Sequence, residues 1–578
     1  MRYDPSILKA GLLRKGGISW QDPAAIVLVL GVIVLLGIGA RQMVLPFVPT
    51  QQQQISLSAG ALPLYTLRTV MRMLLAMLAS LVFTFTYATL AAKSRRAEVI
   101  LIPILDVLQS VPILGYLSFT VVFFVALFPG NVLGPELAAI FAIFTSQAWN
   151  MAFSFYQSLR TIPTDVDEAS RSFRCSAWQR FWRLEVPFAM PGLIWNMMMS
   201  MSGGWFFVVA SEAISVGDVQ ITLPGVGSYV ARAIQERDLS AVGWAIIAMT
   251  IAIVLYDQLL FRPMVAWADK FRFEQTAAPI TPKSWLLDLF RRSVWIQRTV
   301  DPIAGALQRI ARRRMELRWS HWRLAHLSPP PRLLDFVWFG SFGGAVVYVA
   351  VGLARMAHAA LSRDDVLVAI DNGGLTLLRV AVLVVIASLI WVPIGVAVGL
   401  RPKLTEKVQP LAQFFAAFPA NLLFPVAVFA IVRFDLAPKI WLSPLMILGT
   451  QWYILFNVIA GASVFPSDLR EAAASFRVRP WRWWRDVMLP GIFPYYVTGA
   501  ITASGGAWNA SIVSKFVSWG STRLSASGLG AYIAQMTEAG DYPRIAVGIA
   551  VMSVMVIAMN RLLWRPLYAF AERRTRLD

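Results

Sequence analysis

Pro163-Thr-Asp-Val-Asp-Glu168-Ala-Ser-Arg-Ser-Phe173-Arg-Cys-Ser-Ala-Trp178 and Pro466-Ser-Asp-Leu-Arg-Glu471-Ala-Ala-Ala-Ser-Phe476-Arg-Val-Arg-Pro-Trp481 are one charged stretch written twice. Glu168/Glu471, Phe173/Phe476, Trp178/Trp481, Pro187/Pro490 and Pro191/Pro494 all stand 303 residues apart. Each copy is a short helix-forming segment set between long apolar runs. A polar hairpin presented twice in one register reads as a docking surface presented twice.

The surroundings of the hairpins fix the class of protein. The chain has 578 residues, of which 57% are hydrophobic and 15% charged, with a mean hydropathy of +0.61. Apolar runs near the length that crosses a bilayer recur along it, so the sequence predicts an all-α polytopic membrane protein. The net charge of +20 fits basic loops against cytoplasmic lipid headgroups rather than nucleic acid. One cysteine, Cys175, excludes an intramolecular disulfide, and the three histidines have no metal-ligand spacing.

The duplication extends beyond the hairpins. Arg72/Arg379, Pro103/Pro410 and Pro112/Pro419 stand 307 apart, whereas Trp149/Trp452, Trp205/Trp508, Gly225/Gly528, Tyr229/Tyr532, Asp238/Asp541 and Pro263/Pro566 stand 303 apart. The second copy has lost four residues between Pro112 and Trp149. This predicts about twelve transmembrane helices in two tandem six-helix halves. With six spans each, the halves are parallel and related by a pseudo-twofold axis along the membrane normal. The organisation read from sequence is a cytoplasmic segment 1–22, a first half 23–263, a basic amphipathic cytoplasmic linker 264–334, a second half 335–566 and a tail 567–578. The first apolar run, near Ala24–Gly39, reads as an anchor rather than a removed signal peptide. Trp285–Phe290 and Ile303–Trp322 of the linker read as basic amphipathic helices on the membrane surface. The basic residues place both termini and both hairpins in the cytoplasm.

Within each hairpin, Thr164 and Ser467 are expected to N-cap a helix whose first turn holds Asp165 or Asp468. A break near Arg174 or Arg477 leads to a second helix rich in Trp and Arg, with Pro480 suited to its first position. Glu168-Ala-Ser followed by Val186-Pro187, and Glu471-Ala-Ala followed by Leu489-Pro490, resemble the cytoplasmic signature of permeases of binding-protein-dependent ABC importers. The resemblance implies the type I importer permease fold. It also implies a coupling helix that seats in a groove of the ATPase through Glu168, Ala169, Phe173 and Arg174, and through Glu471, Ala472, Phe476 and Arg477. The family usually has Gly where Arg174 and Arg477 stand, so the turn is expected to be strained or rebuilt.

A second resemblance narrows the branch. Trp205, Ala210-Ser-Glu212, Gly225-Val-Gly227, Asp238 and the sixth span look like permeases of the nitrate, taurine, sulfonate and bicarbonate type. It implies two cytoplasmic ATPase subunits and a periplasmic or surface-tethered substrate-binding protein as partners. The substrate would be a small oxyanion or organic acid, and the location the bacterial inner membrane. No cofactor is expected in this chain, since ATP and Mg would be bound by the partner ATPase.

Trp205, Trp508 and Asn509 sit among small residues of the fifth span of each half, fitting either close helix packing or a translocation pathway. Glu212 and Lys515 stand 303 apart. They are expected to face the inter-half interface as a gate pair, or with Lys515 presented to an anion. No G-x-x-x-x-G-K-[ST] occurs, so ATP hydrolysis is not assigned to this chain and it is not read as an enzyme. The alternatives are an ion-coupled secondary transporter with two parallel six-helix repeats and a lipid-modifying enzyme, for which the residues offer no catalytic constellation.

Overall fold

The computed structural model describes residues 21–42, 55–216, 219–271, 284–313, 361–463, 465–514 and 516–567, with isolated positions between 340 and 351 and at 570. These fold as two units. One comprises 1–42, 157–195 and 255–326; the other comprises 43–156, 196–254 and 327–578.

The larger unit holds both copies of a repeated helical series. Leu62–Lys93, Leu133–Arg160 and Leu239–Tyr256 are long helices of the first half, and Arg363–Gly399 and Tyr542–Met559 of the second. Six helices among the described residues are long and apolar enough to cross a membrane, or nine if each of three bent pairs is one span. Ten of the twelve expected spans have helices at their places. The run near 24–39 lies in the helix Gln21–Gln42, whose apolar stretch is shorter than a crossing. Most of the first apolar run of the second half, near 335–357, lies outside the described residues.

The third span of each half is not straight. Arg95–Gln109 and Ile113–Leu127 meet at 103°, and Pro402–Ala417 and Ala420–Arg433 at 73°. A proline makes both breaks. Steric conflict with the proline ring pushes the preceding residue out of the helical region, and Val111 (ψ 127°) and Phe418 (ψ 129°) are extended. Each break opens a helix start against the fifth-span helix of the other half. Ile113 N donates to Asn509 Oδ1 at 2.8 Å, and Asn421 Nδ2 donates to Phe206 O at 3.0 Å. A buried hydrogen bond between Ser202 and Tyr453 adds a third cross-half link. Around these contacts a continuous apolar core joins Leu114, Leu117 and Phe207 of the first half to Val380, Trp508 and Ile512 of the second.

The helices Val186–Glu212 and Leu489–Ser514 each lead into a two-stranded hairpin, Ala213–Val216 with Val219–Thr222 and Phe516–Trp519 with Thr522–Ser525. Both hairpins precede an eleven-residue helix. Even the irregularities repeat: π-helical turns occur at Phe181–Glu185 and Trp483–Met488, and again at Asp257–Phe261 and Asn560–Trp564.

The smaller unit contains Gln21–Gln42, the first hairpin and the linker helices Trp285–Arg292 and Val294–Arg312. Ser284 and Ser293 cap the two linker helices. Asp22 Oδ1 accepts from Ser293 Oγ (2.7 Å) and Trp295 N (3.0 Å), pinning the linker to the first helix. The second linker helix begins nine residues before the expected Ile303 and is described to Arg312; residues 314–339 are outside the described set.

Close helix approach in the larger unit is set by glycine. A Cβ at Gly499 would lie 2.8 Å from Tyr453 O and 3.0 Å from Ile454 Cα, both backbone atoms, whereas one at Gly505 on the same helix meets nothing within 4 Å. Gly499→Ala is therefore expected to destabilise the chain by about 1–3 kcal/mol through overpacking. Gly505→Ala is expected to stabilise it by up to about 1 kcal/mol through helix propensity. Thermal unfolding of the two variants in detergent checks the contrast.

Candidate functional site: paired hairpins and a buried carboxylate

The first hairpin opens with the helix Thr164–Ser172 and the second with Ser467–Ser475. Pro163 and Pro466, not Thr164 and Ser467, occupy the N-cap positions, and no side chain caps either helix. The expected hydroxyl caps are therefore corrected. A proline fixes φ while leaving its carbonyl free, which suits it to start a helix without a cap.

Both helices end in the same device. Phe173 N bonds Ala169 O, Arg174 N bonds Arg171 O at 2.8 Å, and Cys175 N bonds Ser170 O at 3.2 Å. The second copy repeats this with Phe476 to Ala472, Arg477 to Ala474 and Val478 to Ala473. This double closure is a Schellman motif, which places its C′ residue in the left-handed region. Arg174 (φ 48°) and Arg477 (φ 50°) hold that place. The turn usually made by glycine is kept with arginine, at a cost of about 1–2 kcal/mol each.

The turn throws one aromatic ring outward in each copy: Phe173 is 81% and Phe476 84% exposed. Glu168, Ala169, Arg174, Glu471, Ala472 and Arg477 are exposed as well. Each solvent-facing phenylalanine, flanked by an acid and a base of its own hairpin, forms a patch suited to a partner protein.

The second legs differ. In the first hairpin Ser176 and Gln179 form a reciprocal capping box. Trp178 Nε1 donates to Ile310 O (2.9 Å) and Gln179 Nε2 to Arg312 O (2.7 Å), so the end of the linker helix sits on this leg. Asp167 accepts from Arg171 and from Arg180, tying the two legs together. In the second hairpin Pro480 takes the first helical position, as its sequence suggests, and Trp481 is 73% exposed. Asp486, beside Arg485 Nε at 2.6 Å, is held below the usual carboxylate range by that hydrogen bond. The linker, expected on the membrane surface, thus contacts the first hairpin.

Glu212 departs from the expected pairing. Its side chain is fully buried, and Arg72 Nη1 donates to Oε1 at 2.7 Å. Thr69 Oγ1 donates to Oε1 at 2.6 Å and Gly227 N to Oε2 at 2.6 Å. Arg72 also forms a bidentate pair with Glu136, at 2.6 and 2.7 Å, and donates to Pro224 O at 3.1 Å. The carboxylate expected to gate the inter-half interface is spent inside its own half, because a charge buried in a low-dielectric interior must be paired. Its expected partner, Lys515, lies outside the described residues. Glu136 and Arg72 were not singled out as a site from the sequence, although Arg72/Arg379 marked the register.

Trp205 and Trp508 are buried, at 0% and 1% exposure. They sit in helix packing, and Asn509 caps the broken helix at Ile113. Among the described residues no three His, Cys, Asp or Glu side chains are grouped to hold a metal ion.

This architecture, two helical halves each with an exposed capped hairpin, defines a class of membrane transport subunit. The chain belongs to the family of binding-protein-dependent transport system inner membrane components, whose model matches residues 85–262 and 390–576, once in each half. It is similar to the bicarbonate transport system permease protein CmpB of Synechococcus elongatus, 29% identical over 158 residues, covering 26% of this chain and 55% of that protein. It is also similar to the glycine betaine/proline betaine permease ProW of Escherichia coli, 29% identical over 168 residues, covering 29% of this chain and 43% of that protein. The nitrate import permease NrtB of Leptolyngbya laminosa is 22% identical over 187 residues, covering 32% of this chain and 63% of that protein. The chain thus spans about half the length of the curated relatives it matches. No solved structure matches it.

Two outcomes follow for these sites. Arg72→Met leaves two buried carboxylates without their cation and is expected to cost about 3–5 kcal/mol, read as lost thermal stability of the purified chain. Arg174→Gly with Arg477→Gly relieves the left-handed strain and is expected to stabilise the turns by about 1 kcal/mol. Slower amide hydrogen exchange across 169–178 and 472–481 checks it.

Proposed function

We propose that this chain is the translocation subunit of an ATP-driven importer and carries both coupling hairpins on one polypeptide. The observation that carries the reading is the doubled Schellman-capped hairpin, with Phe173 and Phe476 exposed to the same degree in the same register. Its partners are two cytoplasmic ATPase subunits and a periplasmic or surface-tethered binding protein. ATP binding and hydrolysis reside in the ATPases, and this chain performs no covalent chemistry. Closure of the ATPase pair moves the hairpins, and the hairpins move the fifth-span helices that follow them. The cross-half contacts at Asn509, Asn421, Ser202 and Tyr453 are the bonds that such a movement must break to open a path. Both termini lie in the cytoplasm on the charge distribution of the loops.

The cargo is a small oxyanion or carboxylate-bearing molecule. Support comes from the relatives named for bicarbonate, nitrate and betaine transport, whose cargoes share a planar oxygen-bearing group.

Glu168→Arg with Glu471→Arg reverses the acid on both hairpins and is expected to abolish ATPase copurification and uptake while the chain remains folded in the membrane. Normal copurification and uptake in the double variant overturns the docking role. Uptake into vesicles that follows an ion gradient and ignores ATP favours the secondary transporter instead.

A further inference from the structure

The two halves retain the same donors around a position where only the first half supplies a carboxylate. In the first half Thr69, Arg72 and the Pro224–Gly227 segment surround Glu212. Their counterparts are Thr376, Arg379 and Ser527–Gly530, at the offsets of 307 and 303 that run through the chain. Two framework bonds are kept. Val226 N donates to Thr69 Oγ1 at 3.0 Å and Leu529 N to Thr376 Oγ1 at 2.9 Å. Arg72 Nη2 bonds Pro224 O, and Arg379 Nη1 bonds Ser527 O.

The acids are not kept. Position 515 is Lys where the first half has Glu212, and the counterpart of Glu136 is Lys439 or Ser443 by either offset. A Cβ built at Gly225 would run into the Glu212 carboxylate. At Gly528 the nearest described atoms are Arg379 Nη1 (3.3 Å) and Thr376 Oγ1 (2.9 Å), whose hydroxyl donates to Asn372 O at 3.0 Å as Thr69 does to Tyr65 O. Arg379 forms no ion pair among the described residues and is partly exposed, whereas Arg72 is fully buried. Gly530 N corresponds to Gly227 N, which donates to the Glu212 carboxylate at 2.6 Å.

We propose that the second half carries a receptor for a small planar oxyanion, a carboxylate, bicarbonate or nitrate, formed by the Arg379 guanidinium, the Thr376 hydroxyl and the Gly530 amide. The first half shows these same donor types gripping a carboxylate. A guanidinium with a backbone amide at a helix start matches such an anion in charge and geometry. The site stands on the half-to-half comparison and not on the transport function proposed above.

The test is equilibrium binding of radiolabelled acetate to the full chain in nanodiscs in chloride-free buffer, with nitrate and bicarbonate as competitors. Saturable binding displaced by both anions is expected. Arg379→Gln is expected to weaken it by about tenfold or more, the loss of a charged hydrogen-bond partner. Should Arg379→Gln fail to accumulate, Thr376→Val removes a neutral donor and is expected to weaken binding by about threefold. No saturable binding, or binding that these substitutions leave unchanged, overturns the site. ATP-dependent uptake without acetate binding overturns this site alone and leaves the transport function standing.

Discussion

A carboxylate removed from water must find every donor it needs within the protein, and in the first half that requirement organises an entire region. Glu212 takes Arg72, Thr69 and the Gly227 amide, and Arg72 then needs Glu136 to complete its own pairing. With Glu212 itself, these residues come from four separate segments. The Glu212 carboxylate also leaves no room for a side chain at position 225, and a Cβ at 227 would strike Val209 O. Gly225 is thus required by the carboxylate, and Gly227 by the close approach of the Val209 backbone. Ion clusters of this kind fix one arrangement more than they add net stability, since desolvation offsets much of the attraction.

The second constraint is the proline break in the third span. A straight helix would present only side chains to the opposite half. A break exposes a backbone N–H at Ile113, which must be satisfied where it is buried, and Asn509 supplies the acceptor. In the other direction Asn421, beside the second break, reaches Phe206 O. The two bonds are not identical, yet they use the same pair of elements in each direction. The halves are therefore joined by polar contacts set in an apolar core. Such contacts can be exchanged for water or cargo at lower cost than close apolar packing.

The duplication, the helical class and the hairpins were legible because they depend on local patterns: apolar run length, fixed offsets, and helix formers between prolines. Pro480 at a helix start was read correctly for the same reason. Pairing across space was not legible. Glu212 and Lys515 share a register position, but register between halves does not make residues neighbours, and Glu212 found its partner 140 residues upstream. Pro112 and Pro419 were visible, but the sequence does not distinguish a kinked span from one bent through 103°. Thr164 and Ser467 looked like caps by composition, and the prolines before them took the position. The contact of the linker with Trp178 and Gln179 uses backbone carbonyls as acceptors, which leave no trace in side-chain pattern.

That last contact falls on the part of the hairpin in which the two copies differ. The outward part, Glu168 to Arg174 and Glu471 to Arg477, keeps its acid, its aromatic ring and even its strained arginine in both copies. The second leg does not: Gln179, with both ends of its amide used, corresponds to Arg482. Trp178, bonded to the linker helix, corresponds to the largely exposed Trp481. A left-handed arginine stands at this turn in both copies, where glycine would carry no strain. The two hairpins thus present the same acid, ring and arginine outward, although the exposed Arg171 corresponds to Ala474, while their support differs. Among the described residues, the linker helix bonds the first hairpin alone, through the carbonyls of Ile310 and Arg312.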